Sequence, residues 1–385
     1  MRRMIDLKKI YKLLFGGRSG TREGDRYLLF IMLILLVFGL IVLFSASGAI
    51  SYLKYNDSYR LIKHQLIGVI LGAAAFYFFS TINYSFWRKT AFLMLFISIL
   101  LLSLVFVPFL SAEWGAARSW ISIFGFSLQP SELVKLSFLF YLAAWIVKQK
   151  EKIRDFKEST LPFFLILGII IVLMLLQPDL GTLSVIMATS FVVYYAGGGK
   201  LRHLLLVIMA GAVGLLIMVQ INPYQQNRFR CVIDPSYDSK RACYQVNQAL
   251  IAVGSGGLWG RGLGASRQKY LYLPEVTGDS IFAVIAEELG YAASIILIFF
   301  YLALFYRGWK ISNNSPDDFG KLLSIGIASW IFIQAMVNIG GIINLIPMTG
   351  IPLPFISYGG TSLIANLAAV GVLYNISKHT KTTTN

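Results

Sequence analysis

Charge is scarce in this chain. Asp, Glu, Lys and Arg make up 14% of 385 residues, against about a quarter in an ordinary soluble domain. That shortage excludes a water-soluble globular fold. A hydrophobic share of 57% and a mean hydropathy of +0.69 point to a protein embedded in lipid. Histidine is scarcer still: His64, His203 and His379 are scattered, without the spacing that a zinc or di-iron site needs. No Walker-type lysine-serine pattern occurs, which excludes the usual nucleotide-binding loop. Only 18 acids oppose 34 bases, giving a net charge of +16. Such an excess can signal nucleic acid, yet the bases sit in short blocks between apolar runs and no recognition motif accompanies them. Membrane topology and contact with lipid headgroups account for them better.

Long apolar runs dominate the rest. They recur near 27–46, 65–82, 90–110, 131–147, 161–176, 180–196, 203–221, 280–306, 322–346 and 361–376. Stretches of about 17 to 25 apolar residues can cross the hydrocarbon core as helices. Only helices or closed barrels satisfy the backbone in lipid, and the alternating pattern of a barrel is missing. The sequence therefore predicts an all-α polytopic membrane protein with ten transmembrane helices, the fifth and sixth split only by QPDLG. The basic first 26 residues lead into a run long enough to span rather than be cleaved as a signal peptide. With the N-terminus inside, the cytoplasmic segments hold 22 Lys and Arg and the outer segments 11, so both termini are expected in the cytoplasm. The expected organisation is a basic cytoplasmic segment (1–26), a transmembrane domain (27–378) and a short cytoplasmic tail (379–385). One large extracytoplasmic loop, 222–278, joins helices seven and eight.

In this orientation every even-numbered helix begins at the outer face. The starts read QPSE (129–132), QPDLGT (177–182), TGD (277–279) and PLPFISYGGTS (352–362). Proline in a first turn and Ser, Thr or Asp at a cap are ordinary helix-start chemistry, so capping explains any one of them. Four polar starts on one face point to a shared site, where free N–H groups and partial positive charge favour phosphate.

The long loop carries both cysteines, Cys231 and Cys243. On the oxidising side of a membrane they can form a disulfide or stay as unpaired thiols. Residues 248–275 are dense in glycine and carry Arg261, Arg267 and Lys269. The segment reads either as a flexible connector or as backbone that approaches a ligand, with Tyr270 and Tyr272 suited to a phosphate-bearing sugar.

Acids within an apolar run are the sharpest signal. The stretch LPEVTGDSIFAVIAEELG (273–290) contains Asp279, Glu287 and Glu288, and a carboxylate at bilayer depth costs several kcal/mol. Asp279 lies at the mouth of helix eight, as an N-cap or a chemical group. Glu287 falls roughly 80° round and about 12 Å deeper at helical geometry. Glu287 and Glu288 point to different faces and read as structural partners between helices. Glu132 and Lys135 are neighbours on helix four, either as a local ion pair or with Lys135 reaching an anion while Glu132 holds it. Gln334, Asn338 and Asn344 read as interhelical hydrogen-bonding groups.

The ordered set GAARSWISIFGFSLQPSELVK, QPDLGT, QALIAVGSGGLWGRGLGASRQKYLYLPE, GDSIFAVIAEELG and IPLPFISYGGTSLIANLAAVGVLYNIS resembles the SEDS family (shape, elongation, division and sporulation) over residues 27–378. SRQKYLYLPE and the closing NIS are more similar to the FtsW branch than to the RodA branch. The resemblance implies a peptidoglycan glycosyltransferase in the bacterial cytoplasmic membrane, working at the division septum. It would polymerise lipid II into β-1,4 glycan at the outer leaflet and release undecaprenyl pyrophosphate. A class B penicillin-binding transpeptidase and other division proteins would be its partners. Asp279 matches the family's essential aspartate and becomes the general base. Substrate binding is assigned to Arg118, Gln129, Ser131, Glu132, Lys135, Arg261, Arg267, Lys269, Ser357 and Tyr358. No cofactor is required, although a Mg2+ or Mn2+ ion near Asp279 would suit the pyrophosphate. Gly278-Asp279-Ser280 departs from the family's usual threonine-aspartate-phenylalanine, and the cysteine pair lies outside its pattern. A lipid II flippase or other transporter, an elongation polymerase of the RodA type and a non-catalytic division scaffold stay open as alternatives.

Overall fold

The computed structural model describes residues 23–107, 111–114, 117–123 and 126–380. The expected N-terminal segment 1–26 and tail 379–385 therefore lie mostly outside the described residues. The chain runs α1 (Arg26–Tyr55), α2 (Arg60–Thr81), α3 (Tyr84–Leu104), β1 (Ser111–Trp114), β2 (Ala117–Ile123), β3 (Phe126–Leu128), α4 (Pro130–Gln149), α5 (Leu161–Leu176), α6 (Leu180–Ala196), α7 (Leu201–Ile221), α8 (Pro223–Ile233), α9 (Tyr244–Ser255), α10 (Ile281–Asn313), α11 (Asp318–Ile342) and α12 (Gly360–Ser377). Among the described residues eight helices are long and apolar enough to cross a membrane, and α6 is a shorter apolar helix.

Caps set the helix boundaries. Asp25 Oδ1 accepts from Leu28 N at 2.9 Å, Asp317 Oδ1 from Gly320 N at 2.7 Å and Asp179 Oδ1 from Thr182 N at 3.0 Å. Hydropathy misses such signals. The run read as 90–110 begins instead at Tyr84, behind the Asn83 cap, with Arg88 and Lys89 inside the helix. Its far end gives way to a three-stranded antiparallel sheet, β1-β2-β3, which the apolar pattern did not announce.

Helices α4, α11 and α12 are mostly buried, whereas α2, α3 and α5 keep most of their apolar surface outward, as lipid-facing helices do. α12 lies along α2 at close range: a Cβ on Gly371 would stand 2.6 Å from the Phe76 carbonyl oxygen. Small residues allow such approach where lipid gives no hydrophobic drive between helices. At one end of the bundle Asp25 pairs with Arg307 of α10, and its N–H donates to Ser377 Oγ of α12 at 2.9 Å. The other end, where α4, α6, α10 and α12 begin, is called the mouth below.

The 222–278 loop is more ordered than a turn-rich segment. Helices α8 and α9 flank a disulfide between Cys231 and Cys243. The glycine-dense part that follows packs into a break in α10. At Gly290 the backbone leaves helical geometry, with φ 80° and ψ −175°. The carbonyls of Glu287 and Glu288 accept instead from Arg261 N at 3.0 Å and Gly262 N at 2.9 Å. In return Tyr291 N and Ala292 N donate to the Gly257 and Leu258 carbonyls at 2.9 and 3.1 Å. Irregular backbone in such a place is tolerated only when its polar groups are satisfied in this way. A Cβ on Gly260 would lie 2.2 Å from the Glu288 carbonyl oxygen, and the residue has φ +79°. This glycine brings loop backbone against helix backbone, a packing role that neither the connector nor the ligand reading names.

Candidate active site

Four helix starts meet at the mouth. Gln129 Nε2 and Ser131 Oγ, at the head of α4, both donate to Asp179 Oδ2 of the α6 start at 3.2 Å. Gln129 N donates to Thr361 Oγ1, in the first turn of α12, at 3.4 Å. The segment leading into α12 then grips the start of α10: Tyr358 N donates to the Thr277 carbonyl at 2.8 Å and Ser357 Oγ to the Gly278 carbonyl at 2.7 Å. Asn338 Nδ2 of α11 donates to both the Asp279 and Ile351 carbonyls at 2.8 Å. The backbone that carries Asp279 is thus fixed from α11 and from the α12 approach.

The Asp279 side chain is partly exposed and accepts from no backbone N–H among the described residues, so it is not an N-cap. Its neighbours are Gln245 Nε2 of α9, at 3.3 and 3.4 Å from its two oxygens, and Ser280 Oγ at 3.3 Å. Burial, reinforced by the negative charge of Glu275, pushes its pKa up to about 6. Hydrogen bonds from Ser280 and Gln245 and the charge of Arg228 act in the opposite direction. A carboxyl poised in this way can hold or release a proton near neutral pH. Asp279 and Glu275 are hard oxygen donors of the kind a divalent cation takes.

Several expected substrate ligands have other occupations. Lys135 is buried, and its Nζ donates to Glu132 Oε1 and Gln334 Oε1, both at 2.7 Å, while lying 4.8 Å from the Trp330 ring centroid. Gln334 Nε2 continues the chain to the Pro352 carbonyl at 2.9 Å. The pair Glu132–Lys135 is therefore an internal brace, which corrects the reading of Lys135 as an anion ligand. Lys269 needs the same correction. Its buried Nζ donates to Glu288 Oε1 and the Gly264 carbonyl at 2.8 Å and to Ser45 Oγ of α1 at 3.0 Å. Ser357 Oγ, besides donating to Gly278, accepts from Leu353 N at 2.8 Å and so holds loop shape rather than substrate.

Glu287 and Glu288 both accept hydrogen bonds from the 266–269 loop, and Glu288 also accepts from Ser45 Oγ of α1 at 2.8 Å, so it ties two helices together. Ser266 Oγ donates to Glu287 at 2.6 Å and Ser266 N to Glu288 at 3.3 Å, and Arg267 N donates to Glu287 at 3.0 Å. Both acids clasp one loop. Arg261 is partly committed too, its Nε donating to the Ser255 carbonyl at 3.1 Å. Arg267 is exposed, Tyr358 is half-buried with its ring 6.5 Å from that of His64, and the Arg118 side chain in β2 lies outside the described residues. Sequence reasoning overlooked Gln245, Glu275 and Arg228, the groups that act on Asp279. Gln245 is one polar residue on an amphipathic helix, and nothing in its spacing reveals what it faces.

A family model described as "Cell cycle protein", covering FtsW, RodA and SpoVE, matches residues 26–382. The chain belongs to the FtsW/RodA/SpoVE family, the SEDS proteins. Stage V sporulation protein E of Bacillus subtilis is 38% identical over 93% of this chain and 98% of its own length. A protein named probable peptidoglycan glycosyltransferase FtsW, of Geobacter metallireducens, is 36% identical over 95% of this chain and 98% of its own. Solved SEDS structures share the architecture. A chain from work on the structural coordination of polymerization and crosslinking by a peptidoglycan synthase complex superposes with a TM-score of 0.77, at 28% identity over 92% of this chain and 97% of that one. The rod shape determining protein RodA of Thermus thermophilus gives 0.68, at 27% identity over 92% and 96%. This SEDS chain is thus a polytopic helical membrane protein, similar to its relatives along nearly its whole length.

Proposed function

We propose that this SEDS protein is a peptidoglycan glycosyltransferase that polymerises lipid II, with Asp279 as general base. The observation that carries the reading is the Asp279 carboxyl itself. It is partly exposed at the mouth, free of capping duty, fixed through its backbone and poised near pH 6. The 4-hydroxyl of an incoming N-acetylglucosamine gives its proton to Asp279. The hydroxyl oxygen bonds to the anomeric carbon of the growing strand, and the carbon–oxygen bond to the pyrophosphate breaks. The electron pair departs on undecaprenyl pyrophosphate. One displacement inverts the α-linked donor to a β-1,4 bond and needs a single base, unlike the paired carboxylates of a retaining glycosidase. Arg267 and Arg228 on the outer loop supply positive charge for the departing anion. Asp279 and Glu275 would be the residues to hold Mg2+ or Mn2+, and the ion would neutralise pyrophosphate charge.

In this reading both termini are cytoplasmic and the mouth opens at the outer leaflet of the bacterial cytoplasmic membrane. FtsW-named and sporulation relatives favour septal synthesis over elongation. The synthase complex that contains a similar chain favours a class B penicillin-binding transpeptidase as partner. The test is purified protein with lipid II, alone and with the cognate transpeptidase. Wild type should form glycan polymer, and Asp279→Asn should form none while keeping its thermal melt. Polymer from Asp279→Asn would remove the base. Lipid II crossing a vesicle bilayer without any polymer would replace the enzyme by a flippase.

A further inference from the structure

Outside the membrane, a cleft of 840 Å3 opens between the disulfide loop and α9. Its lining includes Ser236, Ser239, Lys240, Tyr244, Gln248 and Ile251. The wall is held in place. The Cys231–Cys243 bond closes the loop, Asp234 Oδ1 accepts from Ser236 N at 2.9 Å, and Asn247 Nδ2 donates to the Pro235 carbonyl at 2.8 Å. Four other groups of the lining are, by contrast, unengaged: the Ser239 and Tyr244 hydroxyls, the Gln248 amide and the Lys240 ammonium form no hydrogen bond or ion pair with the described residues. A cleft held in this way, with two unpaired hydroxyls and an amide, one ammonium, one aromatic ring and an exposed Ile251, matches the surface of pyranose sugars, which alternate hydroxyls with apolar ring faces.

Position strengthens the match. Gln245, whose amide lies against Asp279, is the residue after Tyr244 and three before Gln248. The cleft and the reactive carboxyl thus occupy adjoining sides of one helix, within its width of about 10 Å. A strand that presents its lipid-linked end to Asp279 must extend its sugars away from the membrane, along this loop.

We propose that the cleft is a glycan subsite, binding N-acetylated sugars of the growing strand beyond the reacting residue, with Lys240 available to a carboxylate carried on it. The subsite rests on the polymerase reading for its role, though its binding can be measured without it. Titrating the purified full-length protein with chitotetraose (a soluble N-acetylglucosamine tetramer) should give saturable binding. Gln248→Ala and Tyr244→Ala should each weaken it about tenfold, the worth of one well-made hydrogen bond, and should shorten the polymer made from lipid II. Ser239→Trp, which fills the cleft from an exposed position, should abolish binding without lowering the melting temperature. No saturable binding by a wild type that still polymerises overturns the subsite and leaves the enzyme standing. Equal binding by wild type and all three variants overturns it too. Protection of the cleft from hydrogen exchange by a transpeptidase ectodomain, and not by chitotetraose, reassigns it to a protein contact. Binding that the variants lose, in a protein that makes no polymer, keeps the subsite and rejects the polymerase.

Discussion

Lys269→Ala is the most discriminating substitution. The ammonium is 5% exposed and makes three contacts of 2.8 to 3.0 Å, to Glu288, Gly264 and Ser45. Removing it leaves the Glu288 carboxylate buried with only neutral donors. Breaking a buried pair from one side costs about 3–5 kcal/mol, most of it the penalty for the orphaned charge. Thermal unfolding of the purified protein in detergent, followed by intrinsic fluorescence, should therefore show Lys269→Ala melting several degrees below wild type. Glu288→Gln should also destabilise, and the double variant should lose less than the two losses added, with a coupling of about 0.5–3 kcal/mol. Lipid II binding per folded molecule should stay near wild type. A Lys269→Ala protein that melts with wild type but no longer binds lipid II would refute the clasp and restore Lys269 as a substrate ligand.

Further tests address the mouth and the loop. Because the base must be ionised, polymerisation should fall as pH drops through about 6, the value to which burial and Glu275 raise Asp279. Glu275→Gln removes the repelling charge and should move this acidic limb to lower pH. Gln245→Ala removes a stabilising donor and should move it up. A pH–rate profile unmoved by both changes would mean that another group titrates. Converting both Cys231 and Cys243 to Ser frees a loop with a sequence separation of 12, which should cost about 2–3 kcal/mol in chain entropy, read as a lower melting temperature. Gly260→Ala drives a methyl to 2.2 Å from the Glu288 carbonyl oxygen and should prevent a stable fold, seen as loss of monodisperse protein in size-exclusion chromatography.

Much of this was legible from pattern alone. Apolar run length gives the helices, and the helix-start motifs announce the mouth, because caps and first-turn prolines are local signals. Asp279 stood out because an acid beside an apolar run demands a reason. Long-range pairing was not legible. Nothing in GSGGLWGRG says that Gly256 and Gly260 press on α10, since the partner carbonyls are about thirty residues away. Lys269 reads as a free cation, and Lys135 shows only its neighbour Glu132, because a sequence shows charge and not its counterpart across the fold. Gln334 and Glu288 become visible as those counterparts only once the helices are packed.

The exchange of backbone hydrogen bonds at Gly290 also dictates an order of assembly. Gly257 and Leu258 cannot find their donors until Tyr291 and Ala292 have left the ribosome and the helix around them has formed. The loop before α10 must therefore wait, unpaired, until that helix has formed. Its final shape is acquired late in biogenesis, together with the turn that holds Asp279.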